Sequence, residues 1–340
     1  MLQRLIDRQD LDGSEVERFI GDVMDGRAEG PRVAAVLVAL RMKGETGIEV
    51  AAAARAMRQR AVRVPVSAPD RAVDTCGTGG DGAGTVNIST AAALAAAAAG
   101  VPVAKHGNRS VSSRCGSADV LEACGVNLDV APDGLGRLHD ELGIAFLFAP
   151  RLHPAMAEVM PVRRTLAVRT VFNLLGPLTN PAGVRRQVLG VWGGDVIDVV
   201  AEALAELGTV HALVIHSDDG LDELSVSAPS SVAEVRDGLV TGRWRVEPDA
   251  LGIAERDSRE LVGGDAEENA ARLRAILAGE ERSAASEAVA LNAAAALYVG
   301  GVVPDLGEGV ETIRAVLASG AGLERLEDLA RRSAELAGGG

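Results

Sequence analysis

Aromatic residues and lysine are both scarce in this 340-residue chain: Phe, Trp and Tyr make up 2% of it, and of 34 basic residues only Lys43 and Lys105 are lysines. So few rings exclude a stacking platform for nucleic-acid bases. The three cysteines, Cys76, Cys115 and Cys124, are odd in number and lack C-x-x-C spacing, which excludes a disulfide or zinc framework and points to reducing cytoplasm. Long apolar runs are missing too. The alanine run 91–99 is cut by Gly100 and Pro102, so it reads as a buried helix, and no basic-then-apolar leader opens the sequence. Net charge is −14, so duplex nucleic acid and anionic membrane surfaces are repelled overall. The expectation is no nucleic-acid partner and no membrane, with any anionic ligand captured locally.

What is present is enough hydrophobic material, 47% of the residues, for a well-buried core in one small and one large domain. The first sixty residues read as helices: Ser14 with Glu17 and Thr46 with Glu49 have capping-box spacing, and Gly30-Pro31 marks a helix start. A basic, proline-bearing stretch, 57–70, reads as a connector. Beyond it short apolar runs alternate with helical stretches, with strands expected at 72–75, 102–104, 145–148, 187–191 and 212–215. That alternation predicts an α/β fold with a mainly parallel sheet covered by helices. Helices are expected at 266–278, 285–299, 308–319 and 323–336, and residues 338–340 should fray.

Residues 74–90, DTCGTGGDGAGTVNIST, set glycines and hydroxyls between a strand-like run and an alanine-rich helix, which suits a phosphate-binding loop. Gly77, Gly79 and Gly82 match G-x-G-x-x-G, but the next apolar run ends in Lys105 and His106 where a dinucleotide site needs an acid. The Walker pattern fails at Ala83, which stands where its lysine belongs. Asp81, Asn87, Ser89 and Thr90 fit a metal-bound sugar pyrophosphate better; the plain alternative is a glycine turn with Ser89 capping a helix.

Lys105 stands out because arginine fills nearly every other basic position, and a compact ammonium suits a phosphate in a tight space. It opens a loop, KHGNRS followed by SSRCGS (Ser112 to Ser117), that offers cations, hydroxyls and the Asn108 amide. Four acids fall in the turn 218–223; oxygen ligands of this kind favour magnesium, with Asp222 and Glu223 as its carboxylates, against the alternative of a solvated acidic turn. Between 150 and 181, Arg163, Arg164 and Arg169 offer carboxylate-binding forks, while His153, Met156 and Pro177 could wall an aromatic ring. His139 and His211 read as structural.

Taken together, GTGGDG, NIST, KHGNR, GSADVLE, HPAM, RTVFNLLGPLTNP and DGLDE resemble the anthranilate phosphoribosyltransferases over nearly the whole length. The resemblance implies a small helical domain at 1–70, joined by helices from about 162–182, and an α/β domain at 71–340 of the nucleoside phosphorylase and phosphoribosyltransferase type. It implies a homodimer formed through the helical part. Phosphoribosyl pyrophosphate contacts carry over to Gly77, Thr78, Gly79, Gly80, Asp81, Asn87, Ser89, Thr90, Lys105 and Ser117. Magnesium positions carry over to Ser89, Asp222 and Glu223. The anthranilate channel is matched by Gly77, His106, Asn108, His153, Arg163 and Pro177, with Gly107 at the junction of the two ligands. Lys105, His106 and Arg163 are the expected catalytic group. Competing readings are a pyrimidine nucleoside phosphorylase, a non-catalytic nucleic-acid-binding relative, and a dehydrogenase resting on G-x-G-x-x-G alone.

Overall fold

Residues 1–110, 114–254 and 257–337 are described by the computed structural model; Ser112, Ser113 and the terminal glycines 338–340 lie outside them. Helices α1 (Leu2–Ile6), α2 (Gly13–Met24), α3 (Gly30–Lys43) and α4 (Gly47–Arg58) open the chain. The Thr46 box forms: its hydroxyl accepts the Glu49 N–H, and the Glu49 carboxylate accepts the Thr46 N–H at 2.9 Å. Glu49 also accepts from the Leu11 N–H and from Lys43 Nζ, each at 2.9 Å, so this fully buried acid ties three segments together. The Ser14 box does not form. The extended backbone of Asp12 starts α2 ahead of Ser14, and Glu17 is spent on Arg55 and Gln59. Pro31 does sit at the start of α3, where its missing N–H costs nothing.

The larger part runs β1 (Val73–Asp74), α5 (Ile88–Ala98), β2 (Val103–Gly107), α6 (Ser117–Ala123), α7 (Pro132–Leu142), β3 (Ile144–Phe148), α8 (Ala149–Leu152), α9 (Met156–Leu166), α10 (Phe172–Leu175), β4 (Arg186–Gly190), α11 (Ile197–Glu206) and β5 (His211–Ser217). It ends with β6 (Ser230–Arg236), β7 (Leu239–Val246), α12 (Ala266–Leu277), α13 (Ala284–Gly300), α14 (Leu306–Ser319) and α15 (Ala321–Ala337). Among the described residues the strands form one seven-stranded sheet in the order β3-β2-β1-β4-β5-β6-β7. The first five are parallel, as the alternation predicts, and β6 and β7 add an antiparallel hairpin that the sequence reading did not include.

Alternate residues of the central strands feed two cores, one on each face. Val188, Leu213 and Ile215 join the alanine-rich α5 and α13, whose small side chains let helix and sheet approach closely. Leu189, Ala212 and Val214 point the other way and share a core with α11 and helices α1 to α4. There α4 meets α11 so closely that a Cβ at Gly47 would lie 2.3 Å from Glu202 Cβ. Helix α9 packs on α2 and α3, and α10 on α4, so chain between β3 and β4 returns to the helical bundle.

Candidate active site

Strand order reverses between β1 and β4, and in parallel sheets the crevice beyond the carboxyl ends at such a point holds ligands. The loop 75–87 leaves β1 there. Gly79, Gly80, Gly82 and Gly84 all have positive φ, from 61° to 79°, a backbone path that glycine adopts without strain. It is pinned from two sides. Thr78 donates its N–H to Gly190 O at 2.8 Å, while Val86 donates to Leu261 O and Gly263 to Gly84 O, each at 2.8 Å. Helix α5 follows with Asn87 as its N-cap residue and no side-chain cap, so Ser89 is not the capping group of the plain alternative.

The turn after β5 swings over the same point. A Cβ at Gly190 would lie 1.4 Å from the Asp222 carbonyl oxygen, so only glycine lets this turn close on the end of β4. Asp222 Oδ2 accepts the Gly79 N–H at 2.7 Å and would be 2.8 Å from a Cβ at Gly77. Of the four acids expected around a cation, two are already committed: Asp218 to Arg245, and Asp219 to the Ser217 and Ser225 hydroxyls. Asp222 and Glu223 remain. Burial and the charge of Asp81 push the Asp222 carboxyl above the ordinary carboxylate range; burial and the charge of Asp222 do the same to Glu223, against the pull of Lys105 and the Ser89 hydroxyl. A divalent cation at this pair would relieve that repulsion, which makes Asp222, Glu223 and Ser89 a fitting oxygen set for magnesium. Asp74, Cys76 and His106 also bring ligand atoms within 4.8 Å of one another, but both Asp74 oxygens and both His106 ring nitrogens already have partners.

Lys105 is 3% exposed and donates to the Thr75 carbonyl at 3.0 Å and the Thr75 hydroxyl at 3.2 Å, beneath the loop. The Thr75 hydroxyl donates in turn to Ser89 O at 3.1 Å, joining the loop stem to α5. Thr90 lies deeper: its hydroxyl is buried without a hydrogen-bond partner, and the residue borders a small cavity together with Lys105 and Phe146. Asn87 is a brace, its amide donating to Cys115 O at 3.3 Å and its oxygen accepting from Asn269 at 3.0 Å. Ser117 braces the neighbouring loop through the Asn108 backbone at 3.2 Å. Asn108 itself is exposed. Gly107 is buried, and a Cβ there would be 2.4 Å from the Phe146 ring and 2.5 Å from Ser117 Oγ.

On the other side of Gly107, His106 Nδ1 donates to Gly176 O at 3.0 Å, so its Nε2 is the acceptor in a 3.2 Å contact with His153 Nε2. Both rings are neutral. Burial, with the neighbouring His153, holds His106 down at about 3, and burial holds His153 at about 4. Pro177 is buried next to the Gly176 carbonyl. Arg163 is half-buried near the end of α9; among the described residues its guanidinium hydrogen-bonds only to Met160 Sδ, at 4.0 Å, and no acid pairs with it. Burial lowers its pKa, as expected of a cation awaiting an anion. Arg164 is exposed, and Arg169 donates to Gly80 O while lying 4.8 Å over the Trp192 ring. His139 and His211 are buried elsewhere, beside Asp140 and Glu234.

Several contributors escaped the sequence reading: Thr75, Gly190, Trp192, Asn269, and the buried pair Asp74 and Asn180. Asp74 carried a visible signal, an acid at the end of an apolar strand. Asn180 did not, since an asparagine before proline reads as a turn.

The α/β domain of a glycosyl transferase family matches residues 69–323, and the helical bundle domain of a glycosyl transferase family matches residues 1–61. A curated relative named anthranilate phosphoribosyltransferase from Rubrobacter xylanophilus is 50% identical over 97% of this chain and 96% of its own. One of the same name from Chloroflexus aggregans is 50% identical over 95% and 94%. The crystal structure of anthranilate phosphoribosyltransferase from Thermus thermophilus superposes with a TM-score of 0.93 at 46% identity, covering 98% of this chain and 99% of that one. The Saccharomyces cerevisiae enzyme in complex with PRPP and Mg shares the fold, with a TM-score of 0.89 at 24% identity over 98% and 97%.

Proposed function

This chain belongs to the anthranilate phosphoribosyltransferases, enzymes of tryptophan biosynthesis that transfer the phosphoribosyl group of phosphoribosyl pyrophosphate to the amine of anthranilate, and we propose that it does so with the groups assembled around the β1–β4 crevice. One contact carries the donor side: the Gly79 N–H meets Asp222 Oδ2 at 2.7 Å, so the anion-binding loop and the cation-binding carboxylates converge on one point.

The N–H groups of Gly77, Gly80 and Asp81, in the loop that Thr78 and Gly79 pin through their own N–H groups, hold the pyrophosphate and ribose phosphate with the start of α5 behind them. Asn87 and Ser117 keep the two loops in place, and Thr90, its hydroxyl free of protein partners, lies beneath the donor site. Asp222, Glu223 and Ser89 would hold magnesium, which would supply positive charge to offset the negative charge of the departing pyrophosphate. Lys105 adds a fixed ammonium below the loop, in a setting shielded from water where a charge acts strongly. Gly107 separates donor from acceptor because only a residue without Cβ fits against Phe146.

On the acceptor side Arg163 takes the anthranilate carboxylate through its guanidinium fork. His153, Pro177 and Asn108 border the ring. The aryl amine is neutral at pH 7, so no strong base is needed, and His106, with its lone pair occupied by His153, acts by orienting groups rather than by accepting a proton. Holding amine and ribosyl C1 together supplies up to roughly 7–11 kcal/mol of the barrier reduction.

The working unit is residues 1–70 with the helices of about 162–182 set against 71–340. Exposed Leu2, Ile6, Met42 and Ile48 on the helical part support a homodimer formed there. No helix among the described residues is long and apolar enough to cross a membrane, and the cytoplasm is the compartment we assign. Anthranilate fluorescence followed with phosphoribosyl pyrophosphate, with and without magnesium, tests the reading: magnesium-dependent loss of signal with equimolar pyrophosphate release is expected. Failure of folded protein to consume anthranilate would remove it.

A further inference from the structure

Beneath the crevice, outside every assigned ligand contact, Asp74 and Asn180 form a fully enclosed pair. Asp74 is 0% exposed and Asn180 6%, and they are 106 residues apart in sequence. Asn180 Nδ2 donates to Asp74 Oδ2 and to Ala104 O, each at 2.8 Å. The other oxygen, Asp74 Oδ1, accepts the backbone N–H of His106 at 3.1 Å. His106 Nδ1 then donates to Gly176 O at 3.0 Å, and the Thr179 hydroxyl donates to the same segment, to Leu175 O at 2.8 Å. Asn180 Oδ1 closes its own turn by accepting the Ala182 N–H at 2.9 Å.

These bonds make a ring through three segments. One is the stem of the anion loop, which continues into Thr75 and the Lys105 contact. The second is the end of β2, which carries Lys105, His106 and Gly107. The third is the turn 176–180, which carries Pro177 and follows α10. The first two hold the donor and the third borders the acceptor, so the ring sets the distance between the two ligands. Both groups bonded to the carboxylate are donors, the His106 N–H on one oxygen and the Asn180 amide on the other, and with the Lys105 charge nearby they oppose the cost of burying it.

We propose that Asp74 and Asn180 are positioning residues for the transfer step: by joining the anion-loop stem, the Lys105–Gly107 segment and the Pro177 turn, they hold the donor and acceptor halves at reacting distance. They touch neither ligand. The inference rests on the transfer reaction proposed above.

Asp74→Asn is the sharp test. An amide has one acceptor atom, so one of the two donors must face an NH2 group, and the segments shift without any change in side-chain volume. Misplacement of about 1 Å between reacting groups costs roughly 100-fold in rate. The expected result is a fall in kcat of about 10–100-fold, with the Kd for phosphoribosyl pyrophosphate and magnesium, measured by calorimetry without anthranilate, within about threefold of the parent. Asn180→Ala breaks the bond from its other end and carries the same expectation should Asp74→Asn fail to fold. Glu234→Gln, in the remote network at the opposite end of the sheet, is the comparison for destabilisation alone and should leave kcat in place. Parental kcat in a folded Asp74→Asn protein would overturn the proposal, and so would a loss of donor affinity as large as the loss of kcat. A parent enzyme that consumes no anthranilate would instead remove the underlying reaction.

Discussion

His106 and His153 face each other through their Nε2 atoms at 3.2 Å, although 47 residues separate them in sequence. Because His106 Nδ1 is committed to Gly176 O, His153 is the donor of the pair and neither ring carries charge.

This pair imposes a pH dependence. The folded rings titrate at about 3 and about 4 while an ordinary histidine titrates at 6.5, so the unfolded chain binds protons first as the pH drops. Stability is complete above 6.5 and falls toward 4, by up to about 1.4 kcal/mol per pH unit for each ring. His153→Asn should lessen that slope in denaturant melts between pH 6.5 and 4. Asp74, raised to about 6 by burial, has the opposite sign, losing its contribution as pH rises through 6, but it is common to both proteins and cancels in the comparison. Equal slopes would show that the rings are not held neutral.

Asp222→Asn should act in opposite directions on stability and activity. Removing a negative charge beside Glu223 and Asp81 raises stability without metal by about 1 kcal/mol, since the amide oxygen can still accept the Gly79 N–H. Turnover falls about 100-fold or more through loss of the cation. Melting in chelator and a magnesium titration of the rate check both; a lower melting point with unchanged magnesium dependence would contradict the assignment.

For Arg163→Ala the expected change is in the acceptor alone. The anthranilate KM rises about 10–100-fold, equivalent to about 1.4–2.8 kcal/mol, while the donor KM stays in place. Arg163→Lys recovers little, because an ammonium cannot reproduce the fork. Steady-state kinetics with each substrate varied in turn decides this, and an unaltered anthranilate KM would remove Arg163 from the pocket.

Gly107→Ala forces a Cβ to within 2.4 Å of the Phe146 ring. The expected cost is about 1–3 kcal/mol of stability, and kcat falls at least tenfold because β2 also carries Lys105. Gly194→Ala, whose Cβ would only touch His216 at 3.7 Å, should stay within about 0.5 kcal/mol of the parent. Similar melting points for the two variants would show that the close packing at Gly107 is not required.

Much of this protein is written locally. Five parallel strands follow from apolar runs spaced by helices, the Thr46 box from its two side chains, and the anion loop from glycines that only such a backbone needs. The β6–β7 hairpin left a weaker trace. Its outer strand alternates exposed and half-buried residues at the sheet edge, and the cue was the turn Asp237-Gly238, where both residues have positive φ. Local pattern encodes conformation because backbone preferences act over a few residues. It does not encode partners. Only the folded chain decides that Asp218 and Asp219 are spent while Asp222 and Glu223 remain, that the side chains of both lysines are covered, and that Asp74 meets Asn180. Burial, charge and hydrogen-bond supply at those atoms come from segments brought together across the sheet, and desolvation has no value until they meet.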